Sequence, residues 1–158
     1  MEPSGTQPAV SDACLRGLVL DLAASPQDWL HLVRYDPARR WYQRLLRGED
    51  REVWLLSWLP GQRTGFHDHG RSAGAFTVVQ GCLCERTAPG GRPEVTGVTL
   101  APGSVRSFGP RYVHDVRNES VDPAISVHAY SPPLTTMDRF AVSGGRLVRA
   151  AAETAGQW

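Results

Sequence analysis

The sequence predicts an all-β fold, a barrel or a two-sheet sandwich, with two short helices ahead of it. Three observations carry this. Between about residue 40 and residue 148, short runs rich in Val, Leu, Phe and Trp recur. Turn signals such as Pro60-Gly61, Pro89-Gly90-Gly91, Pro102-Gly103 and Asp122-Pro123 punctuate those runs roughly every ten residues. Helical periodicity is confined to the stretch before Asp36.

Taken in order, residues 1–10 read as a flexible tail. Ser11 opens a helix, because Leu15, Leu18, Val19 and Leu22 recur at i, i+3, i+4 and i+7 and form an apolar stripe. Ser25-Pro26 signals a second helix, with Ser25 as N-cap, Pro26 at the first helical position and Asp28 as the acid of a capping box. Trp29, Leu30, Leu32 and Val33 are its expected core face, and Tyr35-Asp36-Pro37 ends it. These helices, at about residues 12–35, are expected to pack outside the barrel.

Strands are expected at 41–46, 52–59, 75–86, 94–100, 104–108, 112–117 and 124–131, with a last hairpin around Ser143-Gly144-Gly145. The Ala-rich end, residues 149–158, reads as frayed or weakly helical. The whole is one domain over residues 11–148, with no repeat and no linker.

With 158 residues, 41% of them hydrophobic, the chain can bury a core of its own. All 17 basic residues are arginines, yet the net charge is +1 and acidic residues are interleaved among them, so a nucleic-acid binder is not indicated. No apolar run approaches the roughly 20 residues needed to span a membrane. Met1-Glu2-Pro3-Ser4-Gly5 lacks the basic and apolar parts of a signal peptide, so a cytoplasmic protein is expected. Cys14, Cys82 and Cys84 are too few and too odd in number for a disulfide framework.

The chemistry gathers at Gly65-Phe66-His67-Asp68-His69. On a strand, positions i and i+2 face the same way, so His67 and His69 aim two imidazoles at one point while Asp68 faces away. Two further segments place polar groups on one face: Tyr112 and His114 with Val116, and Ser126, His128 and Tyr130. If that face is interior, the cluster needs metal or a hydrogen-bond relay to satisfy it. His67, His69 and His114 together offer three neutral nitrogens to a divalent first-row metal, zinc and iron(II) both being compatible. Tyr42 and Arg44 share a strand face. The planar fork of Arg44 suits a carboxylate, although a surface arginine among those of residues 39–51 is the plainer reading of the residue by itself.

Residues 61–81 and 103–118 resemble the two motifs of the cupin superfamily. Gly61 leads through five residues to His67-Asp68-His69, Gly74 stands in the glutamate slot, and Gly81 closes the first motif; His114 to Asn118 matches the end of the second. The missing glutamate is a feature of thiol dioxygenases. His67-Asp68-His69 with Ser72, Gln80-Gly81, Leu83 and Glu85, then Pro123 through Pro133, and Tyr42-Gln43-Arg44 are similar to the cysteine dioxygenase family, over about residues 40–135.

That resemblance implies a cupin β-barrel, a jelly-roll-like double sheet, and an Fe(2+) site of His67, His69 and His114. It implies that Arg44, supported by Tyr42, binds the carboxylate of L-cysteine. Ser126, His128 and Tyr130 would form a relay that ends beside substrate and dioxygen, giving cysteine sulfinic acid, and the Ser131-Pro132 bond would be cis. In mammalian members a cysteine stands where Gly74 stands here and crosslinks to the tyrosine matched by Tyr130, so no crosslink is expected in this chain. The rival expectations are a dioxygenase of another small thiol, such as 3-mercaptopropionate, and a metal-binding cupin sensor without turnover. A monomer is expected.

Overall fold

The computed structural model describes residues 10–154. The expected tail at residues 1–9 and the final residues 155–158 lie outside the described residues. Helix α1 (Asp12–Ala23) begins where the sequence places it, and the Ser11 hydroxyl caps it by accepting from Cys14 N–H at 3.3 Å. The second helix does not form as such. Residues Pro26–Asp28 and Leu30–Leu32 are two single 3-10 turns, and Ser25 makes no side-chain cap. Between them Trp29 leaves helical geometry at φ −140°, buries its ring and donates its indole N–H to Leu22 O at 2.7 Å. Burial of one large ring decides the local path over helix propensity.

Ten strands follow: β1 (Trp41–Arg47), β2 (Glu52–Trp58), β3 (Ala73–Gln80), β4 (Leu83–Thr87), β5 (Val98–Leu100), β6 (Val105–Phe108), β7 (His114–Arg117), β8 (Ala124–Ser131), β9 (Thr136–Ser143) and β10 (Arg146–Thr154). The single strand expected at 75–86 is two strands, because Gly81 turns the chain at φ +75°. A Cβ there would lie 2.5 Å from Pro123 O. Only the end of the 94–100 stretch pairs. The Ala-rich end is neither frayed nor helical through Thr154, since its backbone pairs with β9 on both sides of a bulge between Arg149 and Ala151.

The strands build two facing sheets, the double-stranded barrel expected. One has the order β1-β2-β8-β3-β6, with its neighbours antiparallel. Opposite it lie β5-β4-β7 and the hairpin β9-β10. Isolated bridges from Arg63 to Arg117, and from His67 to both His114 and Arg139, join those two groups. Alternation along the first sheet sends Val53, Leu55, Ala75, Val127 and Ala129 outward to Leu15 and Val19 of α1. Trp58, Phe76, Val78 and Tyr130 face inward, meeting Leu83, Leu100 and Val116 of the second sheet. The face holding Ser126, His128 and Tyr130 is therefore interior. Both faces of β8 are buried, which makes it the central strand of the molecule. Among the described residues no helix is long and apolar enough to cross a membrane.

Candidate metal centre

The segment between β2 and β3 carries His67 and His69, but it is not a continuous strand. Gly65 takes φ +73°, and the segment meets β7 only through isolated bridges, Arg63 to Arg117 and His67 to His114. His67 N–H donates to His114 O at 3.0 Å and His114 N–H to His67 O at 3.1 Å, so the backbone sets these two residues side by side. Asp68 faces away, as expected. Its Oδ1 accepts from Gly70 N–H at 3.1 Å and from Asp138 N–H at 2.9 Å, which ties this segment to β9.

His67, His69 and His114 are all buried, and one nitrogen from each lies within 4.8 Å of the others. His67 Nε2 and His69 Nε2 are 3.2 Å apart. The His69 ring packs against the rings of Phe108 and Tyr130, at 4.8 and 4.9 Å between centroids. Burial, then the neighbouring imidazoles, holds His67 and His69 well below the usual histidine range, so both are neutral. His67 Nδ1–H donates to Gly65 O at 2.8 Å, and His114 Nδ1 meets Glu85 Oε1 at 2.9 Å. With Nδ1 engaged on both rings, Nε2 is the nitrogen each has left to offer. Convergent buried imidazole lone pairs with no acid among them are the donor set of a divalent transition metal, so the residues present fit one.

Glu85 is the residue that sequence reasoning placed in a motif without giving it a task. Fully buried, it accepts from His114 Nδ1–H and from the Tyr112 hydroxyl at 3.0 Å, and its Oε2 lies 2.8 Å from Arg106 Nε. Burial alone would push its carboxyl up. The His114 contact, Tyr112 and Arg106 outweigh that and hold it below the usual carboxylate range. An acid on the inward face of a strand, two residues after an inward Leu83, was the available signal. Gly74 occupies the slot beside the metal centre where many cupins have a glutamate. A Cβ there would lie 2.5 Å from the Phe108 ring and 2.9 Å from Tyr130, so no side chain fits.

Ser126, His128 and Tyr130 sit in line on β8. Trp58 Nε1–H donates to Ser126 Oγ at 2.9 Å, Ser126 Oγ meets His128 Nε2 at 2.7 Å, and His128 Nδ1 lies 3.4 Å from the Tyr130 hydroxyl. Burial, then the neighbouring His114 imidazole and Arg40 guanidinium, lowers His128 to about 3. A neutral His128 that accepts the Ser126 proton at Nε2 carries its own proton on Nδ1, aimed at the Tyr130 oxygen. The Tyr130 O–H is then free to donate elsewhere. Burial raises its pKa, so it stays protonated.

One cavity joins these parts. Tyr42, His67, His114, His128, Tyr130, Arg40 and Arg139 are among the residues that line it. The space it encloses, open mouth included, is about 570 Å³. Arg44 is not among the lining residues. It lies over the Trp54 ring and 3.8 Å from Glu52 Oε2. Arg40 and Arg139, which the sequence did not single out, are the cations of the cavity. Nothing separates Arg40 from the other arginines of residues 39–51 until the strand register is known.

A double-sheet barrel with three converging histidines defines a metal-binding cupin. A profile of the family described as cysteine dioxygenase type I matches residues 10–143. The chain belongs to that family, whose members are thiol dioxygenases. It is 28% identical to a cysteine dioxygenase type 1 from Danio rerio over 138 residues, covering 80% of this chain and 68% of the relative. Among solved structures it is similar to a protein from Thermus thermophilus, at 27% identity and a TM-score of 0.58, covering 66% of this chain and 93% of the other. A Klebsiella pneumoniae protein described as having a double-stranded beta-helix domain shares the fold at 20% identity and a TM-score of 0.57, covering 77% and 92%. The peptide bond between Ser131 and Pro132 is cis.

Proposed function

We propose that this protein is an iron-dependent dioxygenase that adds both atoms of dioxygen to the sulfur of L-cysteine, giving cysteine sulfinate. The observation that carries the proposal is the cavity onto which both His67 and His114 of the three-imidazole centre and His128 and Tyr130 of the relay open. His67, His69 and His114 would hold iron(II), which when bound supplies the redox chemistry that joins dioxygen to a thiolate. Because all three ligands are neutral, the site keeps its positive charge and favours thiolate over thiol. His128 fixes the Tyr130 hydroxyl, and Tyr130 donates its hydrogen bond toward the reacting sulfur and oxygen. Tyr42 forms part of the wall, with its ring 5.7 Å from that of Trp54. A guanidinium meets the carboxylate of the substrate. We place the enzyme in the cytoplasm, where small thiols stay reduced, and take it to act as a monomer.

The test is anaerobic loading with iron(II), then oxygen uptake with L-cysteine, 3-mercaptopropionate and cysteamine in parallel. Uptake is expected to be fastest with L-cysteine and to yield one sulfinate per dioxygen. A preference for 3-mercaptopropionate would move the substrate assignment, and no uptake with any thiol would remove the dioxygenase assignment.

A further inference from the structure

We propose that Arg40, rather than Arg44, grips the carboxylate of the substrate in this protein. The inference rests on the dioxygenase reading above and names the group that gives the site its preference for an acidic thiol. Pairing of β1 with β2 sets Tyr42 opposite Leu56 and Arg44 opposite Trp54. Continuing that register by two residues sets Arg40 opposite Trp58, and its guanidinium does lie over the Trp58 ring at 5.1 Å. Arg40, Tyr42 and Arg44 thus share one face of the sheet, but only Arg40 and Tyr42 line the cavity with His67, His114 and Tyr130.

The three arginines near the cavity differ in what already holds them. Arg44 lies by Glu52, a buried carboxylate that also accepts from Leu134 N–H at 2.8 Å. Removing Arg44 would leave that acid without its cation, so its task is structural. Arg139 is committed as well, donating from Nη1 to Thr64 O at 2.9 Å and from Nε to Glu153 Oε2 at 3.1 Å. Arg40 makes no side-chain hydrogen bond or ion pair among the described residues. Its guanidinium rests over the Trp58 ring with its N–H groups unpaired, and a guanidinium takes a planar carboxylate in two parallel hydrogen bonds. Among the described residues, no acidic side chain lines the cavity. Burial and the like charge of Arg139 lower Arg40 to about 10, so it remains charged near neutrality while lacking a counter-ion. A bound carboxylate would supply one.

The experiment compares Arg40→Gln, Arg40→Lys and Arg44→Gln in the iron-loaded protein. Binding of L-cysteine and of cysteamine, which lacks the carboxylate, is measured calorimetrically without oxygen; oxygen uptake is measured separately. Arg40→Gln is expected to weaken L-cysteine about 10- to 100-fold, the loss of charge-assisted hydrogen bonds. Cysteamine should change by less than about threefold on the same scale, and Arg40→Lys should recover part of the loss. Arg44→Gln is expected to lower the melting temperature and leave L-cysteine affinity within about threefold. A selective loss of L-cysteine affinity in Arg44→Gln alone, or equal loss of both ligands in Arg40→Gln, overturns the proposal. Arg40-dependent L-cysteine binding without any oxygen uptake would keep the clamp and remove the dioxygenase reading. Unaltered affinity in Arg40→Gln with normal oxygen uptake would do the reverse.

Discussion

Glu85 holds three groups around one buried carboxylate, and each has a separate consequence. His114 is turned so that its Nε2 faces the other imidazoles, Tyr112 is tied to the cavity wall, and Arg106 balances the charge. A carboxylate behind a metal-binding imidazole fixes the ring and raises its basicity. Glu85→Gln keeps the shape and a hydrogen-bond acceptor but removes the charge. Its expected effect is a fall in metal affinity of about 10- to 100-fold, read by competition with a chromophoric chelator. Unchanged affinity would mean that Glu85 serves packing alone. The same carboxylate explains how the centre does without an acid at Gly74. The negative charge stands behind a ligand, and the Phe108 and Tyr130 rings fill the space where an acid in front would stand.

At the scale of elements, α1 and β8 divide the work. Val127 and Ala129 meet α1, while Ser126, His128 and Tyr130 on the alternate positions form the relay. Truncating Leu15, which is buried between α1 and the sheet, should cost about 2–5 kcal/mol in denaturant unfolding and leave metal affinity unchanged. A loss of metal in the folded Leu15→Ala variant would show that helix and site are coupled through β8. The apolar stripe of Leu15, Leu18, Val19 and Leu22 made α1 legible, because period and burial agree there. Period-two alternation on β8 grouped the relay residues but could not say which face was inside, since helix and barrel cover one face each. The second helix failed because Trp29 found a better position than helical geometry allows. Residues 149–154 became strand because β9 supplied a partner, and pairing outweighs the propensity of alanine. The separation of Arg40 from Arg44 depends on which tryptophan each covers and on the Glu52 carboxylate, both of them long-range facts absent from local pattern.

The molecule as a whole should be stable only where its buried groups keep the ionisation that folding imposes. His128 is lowered to about 3, and His67 and His69 also lie well below their ordinary value, while an unfolded histidine titrates near 6.5. Between those values the unfolded chain binds protons that the folded chain refuses. Stability is therefore fully present above about pH 6.5 and declines as the pH falls toward 3. For His128 alone the loss across that window is on the order of 4 kcal/mol, a large share of the 5–15 kcal/mol typical of a domain. Glu85, held below the usual carboxylate range, adds to the loss below about pH 4.5. At the other end Tyr112 and Tyr130 are raised, so above about pH 10 the unfolded chain sheds protons that the folded chain keeps, and stability falls again. Denaturant unfolding of the metal-free protein from pH 7 to pH 4 should show a steadily falling free energy. His128→Asn should be less stable at pH 7, because Ser126 and Tyr130 lose their shared partner, yet its free energy should fall less steeply with acid. Parallel curves for the two proteins would show that His128 titrates as in water, and would remove the neutral, proton-directing His128 on which the orientation of Tyr130 depends.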